Sequence, residues 1–150
     1  MNIKEHTTPD KLLRYSFIWS EVRLIVAAVA LILGGVPLIL FVVPVPALFG
    51  LVRLLLSIAW IVSGLSSLYL LYQWFLHGKK LFGKEEQKDK ITFLVSVVSG
   101  INLGLVGISG TNVGMSISSN KVVFLIVAVL YVFSAIHLYR RWKSHGEKLF

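Results

Sequence analysis

The chain has 150 residues, 56% hydrophobic and only 15% charged, with a formal net charge of +8 and a mean hydropathy of +0.80. Soluble domains hold about 45–50% apolar residues, so this composition points to lipid as the main solvent. The absence of cysteine excludes disulfides, zinc–thiolate centres, iron–sulfur clusters and thiol nucleophiles. The basic residues flank apolar blocks, which favours anionic lipid headgroups over nucleic acid as their partners.

Residues 1–21 read as a cytoplasmic N-terminal segment. Thr8-Pro9-Asp10 has the form of a cap, a first-turn proline and an early acidic residue. The mixture of Leu12, Leu13, Phe17, Ile18 and Trp19 with Lys11 and Arg14 then predicts an interfacial helix. About 20 residues cross about 30 Å of hydrocarbon, and four apolar blocks satisfy that length: Val22–Val43, Val52–Leu76, Ile91–Gly110 and Val122–Tyr139. The first is too long for a signal-peptide core and lacks a persuasive cleavage site, so it is expected to be retained. Pro37 is expected to kink it. On the second block, Ala59, Ser63, Gly64 and Ser67 form a small-residue stripe, and Arg53 is placed at the outer boundary as an anchor rather than a pore charge.

The third block carries the most unusual pattern. Ser96, Gly100 and Gly104 recur every four residues, so another helix can approach closely. Asn102 is expected near mid-span, where it needs a partner. The alternative to a packing seam is a solute path lined by Ser96, Ser99, Gly100, Asn102 and Gly104. The following Gly/Ser/Asn-rich stretch to Lys121 reads as an outer loop, since no phosphate-loop spacing is present. His137, near the inner end of the fourth block, has no i+4 acidic partner and reads as an interfacial residue.

Thirteen of the fifteen Lys and Arg fall in the N-terminal segment, the central loop and the C-terminus. With four spans these segments share one side, which the positive-inside rule makes cytoplasmic, so both termini are expected inside a plasma (inner) membrane. The seven acidic residues all fall in those segments or at their edges, with Glu21 and Arg23 expected at the interface. A carboxylate at mid-membrane is therefore not expected, and proton- or cation-coupled transport loses support.

A nine-residue phrase occurs twice. Trp74–Phe82 and Trp142–Phe150 share W-x-x-H-G-x-K-L-F, 68 residues apart. The same shift aligns Ser66 with Ser134 and Leu70 with Leu138, while Leu33-Gly34 resembles Leu103-Gly104 at a shift of 70. The expected fold is an all-α integral membrane protein of four transmembrane helices. They form one membrane domain over 1–150: a first hairpin at 22–82, a linker at 83–90 and a second hairpin at 91–150, related as a parallel repeat. Each phrase reads as a helix exit whose tryptophan sits at headgroup depth and whose Leu-Phe dips into the interface. The alternative is a pair of lipid-phosphate or partner contacts made by Trp74, His77, Lys80, Trp142, His145 and Lys148.

No Ser-His-Asp set, H-E-x-x-H or facing pair of carboxylates is present, so an enzyme has the least support and no cofactor is implied. The sequence favours a non-catalytic subunit or scaffold that associates with itself or with other membrane proteins. The alternative is a small passive pore or carrier for a neutral or anionic solute.

Overall fold

A computed structural model describes residues 8–42 and 46–150. Lys4, Glu5 and the Val43–Pro44 junction lie outside the described residues. The described chain is helical, without strands. Four helices are long and apolar enough to cross a membrane: α1 (Pro9–Ile32), α2 (Phe49–Leu76), α3 (Gln87–Ser109) and α4 (Lys121–Ser144). Short helical segments at Ile39–Val42, Pro46–Leu48 and Val113–Ile117 lie in the two connections at the far end from the termini.

The first helix differs from expectation. It starts at the Thr8-Pro9 cap and runs without a break through Glu21 and Arg23, ending at Ile32. The predicted interfacial helix and first span are therefore largely one element, shifted by more than ten residues toward the N-terminus. The physical stop is Gly34-Gly35, at φ +84° and +85°, a conformation that costs glycine little. Pro37 lies beyond the stop and kinks nothing.

Large apolar side chains such as Leu54, Leu65, Val98, Ile126 and Val129 face outward, more than half exposed. The interior is built instead from small residues, serines and a few aromatics, as expected where packing must replace the hydrophobic drive. The most extensive helix contacts are α2 with α3 and α1 with α4; α1–α2 and α3–α4 follow, and α1 also touches α3.

The small-residue stripes of α2 and α3 meet each other. A Cβ on Gly64 would stand 2.7 Å from the Cα of Gly104, so the backbones touch directly there. One turn toward the termini, a Cβ on Gly100 would meet Ser67 Oγ. On the other side of α2, Trp19 of α1 donates to Ser63 Oγ at 3.0 Å.

Burial repeats between the halves. Every buried residue of α1 (Ser16, Phe17, Ser20, Glu21, Arg23, Leu24, Ala28) has a buried counterpart on α3 76 residues later. Gly34 and Gly110, the left-handed stops just beyond α1 and at the end of α3, obey the same shift. Ser67, Leu70 and Trp74 of α2 correspond to Ala135, Leu138 and Trp142 of α4 at 68. The shift of 70 suggested by Leu33-Gly34 is not structural: Gly34 lies past a helix end, whereas Gly104 is inside α3.

Candidate functional site

Polar side chains gather at three levels of the bundle. In the middle, Arg23 reaches from α1 to α3. Its Nη1 donates to Ser99 Oγ at 3.1 Å; its Nη2 donates to the Ser96 carbonyl at 2.8 Å and to Ser20 Oγ at 3.4 Å. Gly100 makes room for it, since a Cβ there would lie 3.0 Å from the guanidinium carbon. Glu21, two residues earlier, is also buried; among the described residues its carboxylate makes no hydrogen bond of normal geometry, with the Ser96 hydroxyl and the Arg23 charge nearby. At 1.5 Å per residue, Glu21 stands about 18 Å along a helix of about 36 Å. Glu21 and Arg23, expected at the interface, thus lie midway along α1 and are buried in the bundle.

At the end that carries the termini, Asp89 of α3 is completely buried. Arg141 of α4 grips it with two nitrogens, Nε to Oδ2 at 3.0 Å and Nη2 to Oδ2 at 2.8 Å, with a further Nε contact to Oδ1 at 3.1 Å. His137 Nε2 stands 2.6 Å from Oδ1. Since a carboxylate held by Arg141 can only accept, that histidine nitrogen carries the hydrogen. Glu86 meets Arg141 from the rim at 3.1 Å. His137 therefore has an acidic partner, supplied by another helix rather than by its own i+4 position. Asp89 was placed in a loop by the sequence and belongs to the first turn of α3.

At the opposite end, Asn102 closes a loop. Its Oδ1 accepts from the backbone N–H of Val113 and Gly114, at 3.0 and 3.4 Å. Its Nδ2 donates to Asn112 Oδ1 at 3.0 Å, and that oxygen also caps the Val113–Ile117 segment through Met115 N–H. The partner that Asn102 needs is the outer loop folded back onto α3.

Each residue considered for a solute path has a contact of its own within the described bundle. Ser96 and Ser99 hold Arg23, Gly100 and Gly104 press on α2, and Asn102 holds the loop. Two grooves of about 460 and 370 Å³ lie on the outside of the hairpins. Leu12, Tyr15, Ser16 and Val62 line the first; Lys88, Ile91, Thr92 and Leu130, their counterparts by the shifts of 76 and 68, line the second. Neither groove is lined by Arg23 or Asn102.

The repeated phrases fold alike. Lys79 N–H bonds the Trp74 carbonyl and Gly78 N–H that of Phe75; Glu147 and Gly146 do the same to Trp142 and Lys143. These are paired six-to-one and five-to-two closures, with Gly78 and Gly146 both at φ 66°. The tryptophans are buried in the bundle. Trp74 packs on Phe93 and Trp142 on Phe17, with ring centroids 5.6 and 5.4 Å apart. Leu81, Phe82 and Leu149 join the same buried cluster. The phrases interlock: His77 stacks on Phe150 at 4.9 Å, His145 meets the edge of Phe82, and Phe82 N–H bonds the Leu149 carbonyl. His77, Lys80, His145 and Lys148 remain exposed.

Glu147 accepts from Lys143 and lies 2.7 Å from Arg14 of α1. These contacts, the Lys143 hydrogen bond first and the Arg14 charge next, hold its carboxyl below the usual carboxylate range. A depressed folded-state pKa stabilises above the unfolded value, and the effect is lost as pH falls through the folded value. Acidification through that range is expected to lower the protection factors (exchange corrected for its intrinsic pH dependence) of the amides at residues 145–150. Glu147→Gln should show the lowered protection factors already at neutral pH and no further fall on acidification.

No family model, curated protein or solved structure matches the chain.

Proposed function

We propose that the chain is a non-catalytic multi-pass membrane subunit, a four-helix scaffold that packs with itself or with other membrane proteins. The observation that carries this reading is the use of the interior polar groups: Arg23, Asn102, Asp89 and the α2–α3 glycines each close the bundle. With the small-residue stripes spent inside the chain, contacts to partners fall to the apolar outer faces and to the basic end, where His77, Lys80, His145 and Lys148 suit anionic headgroups.

In this reading the two hairpins are copies of one ancestor, held the same way up. The common burial pattern of α1 and α3, the matching helix exits and the reciprocal His–Phe contacts support the duplication. A two-fold axis along the membrane normal fits, with both termini in the cytoplasm and the plasma (inner) membrane as location. Single cysteines introduced at Lys84 and Ser118 should label from opposite sides; labelling from one side would refute this orientation.

A specific observation favours a second reading, a small carrier: Glu21 and Arg23 lie deep in the bundle, where ionisable groups usually serve transport. Reconstitution separates the two. The scaffold reading expects no flux of small neutral or anionic solutes above empty liposomes, together with a stoichiometric partner or a defined self-assembly on gentle extraction. A flux abolished by Arg23→Gln in a folded variant would overturn it.

A further inference from the structure

We propose that Glu21 is an intramembrane proton-binding site, with Arg23 as the fixed positive charge beside it. The inference goes beyond the scaffold reading and does not depend on it. Glu21 is only 6% exposed and sits at the middle of α1. No ion pair joins it to Arg23, and among the described residues only the Ser96 hydroxyl of α3 acts on its carboxyl as a hydrogen-bonding group, outside normal bonding geometry. Arg23 has its own acceptors, Ser99, Ser20 and the Ser96 carbonyl, so it is not held in place by the carboxylate. An acid kept purely for structure would be fully bonded; this one has a single hydroxyl, that of Ser96, beside its two oxygens.

A buried carboxylate can be settled by a proton, by water donors or by a metal cation. The guanidinium nearby opposes a second cation, while a proton adds no ion to the interior. The groups facing this point are few. From α3 come Ser96 and Ser99; from α2 comes Ser67, beside the Gly100 notch that Arg23 crosses. From α4, Tyr131 lies within electrostatic range of Arg23. The hydroxyls of Ser67 and Ser134 are buried without partners among the described residues, and with Ser96 they place one hydroxyl on each of the other three helices. They stand nine or ten residues from the helix ends nearest the termini, close to the level of Glu21, twelve residues from the start of α1. Such hydroxyls both donate and accept, which suits them to pass a proton once the bundle loosens.

The test uses the full chain in lipid nanodiscs, followed by infrared difference spectroscopy through a pH titration. A carboxylic-acid C=O band should appear and titrate in the wild type, vanish in Glu21→Gln and change frequency in Glu21→Asp. Arg23→Gln should move its midpoint. Identical spectra for wild type, Glu21→Gln and Glu21→Asp at every pH would overturn the proposal. So would a band that sodium removes at constant pH, since that marks a metal-cation site. Glu21→Asp keeps a carboxyl group, so the assignment survives even if the glutamine variant fails to fold.

Discussion

Asp89→Ala is expected to lower folding stability by about 3–5 kcal/mol, the range for removing one partner of a buried charged set. Asp89 is fully buried and satisfies His137 and Arg141 at once, joining α3 to α4 near the basic end. Its place in the first turn of α3 adds the favourable field of a helix N-terminus. Truncation leaves a histidine and a guanidinium facing a void. Arg141 recovers part of the loss because Glu86 already touches it at 3.1 Å and its side chain is 28% exposed. His137, 14% exposed, has no such outlet. The double variant Asp89→Leu/His137→Leu should therefore be more stable than Asp89→Ala, since apolar groups replace both buried partners. Unfolding by sodium dodecyl sulfate, followed by circular dichroism, gives the three values. A single-variant loss below about 1 kcal/mol would show that the cluster is peripheral to the fold.

Asp89 also shows where the sequence stops being informative. The four apolar blocks were legible because spanning length and hydropathy are local properties, and three of the four helices fall where they predict. The first moved because its N-terminal two-thirds carry polar residues on one side. Ser16, Ser20 and Arg23 interrupt the hydropathy, yet with Phe17, Leu24 and Ala28 they continue one buried face. That face had a signal in the three- and four-residue spacing following the Thr8-Pro9 cap. Only the partner helix makes its polar members tolerable, and a partner cannot be read from one segment. His137 and Arg141 likewise share a helix face at i and i+4, but the acid that joins them lies 48 residues earlier than His137. The repeated phrase was legible as a helix exit, because the glycine conformation it needs is local. Its tryptophans and its Leu-Phe turned inward because the other copy supplies a wall to pack on. Small residues announced close approach without saying to what; the structure joins the α2 stripe to the α3 stripe.

That junction gives the other large effect. Gly104→Ala and Gly100→Ala are each expected to destabilise the bundle by about 1–3 kcal/mol through overpacking. Two terms compete. Alanine in a helix interior gains about 0.8–1 kcal/mol over glycine, so a substitution with free space should stabilise. Gly50, near the start of α2 with nothing within 4 Å of an added Cβ, is the control and should be neutral or slightly stabilised as alanine. At Gly104 the new methyl group stands 2.7 Å from the Cα of Gly64, and backbone cannot rotate away; the helices must part. At Gly100 the obstruction is different. The methyl would lie 1.8 Å from Ser67 Oγ and 2.8 Å from its Cβ, both removable, and 3.0 Å from the guanidinium carbon of Arg23. Ser67→Gly should thus rescue much of the Gly100→Ala loss while leaving the Gly104→Ala loss intact. The double-mutant cycle on Gly100 and Ser67 is then expected to show a coupling above the 0.5 kcal/mol or so that separated sites give. If Gly104→Ala instead behaves like Gly50→Ala, the two backbones do not touch in the bilayer, and the closure of the bundle along α2 and α3 fails with it.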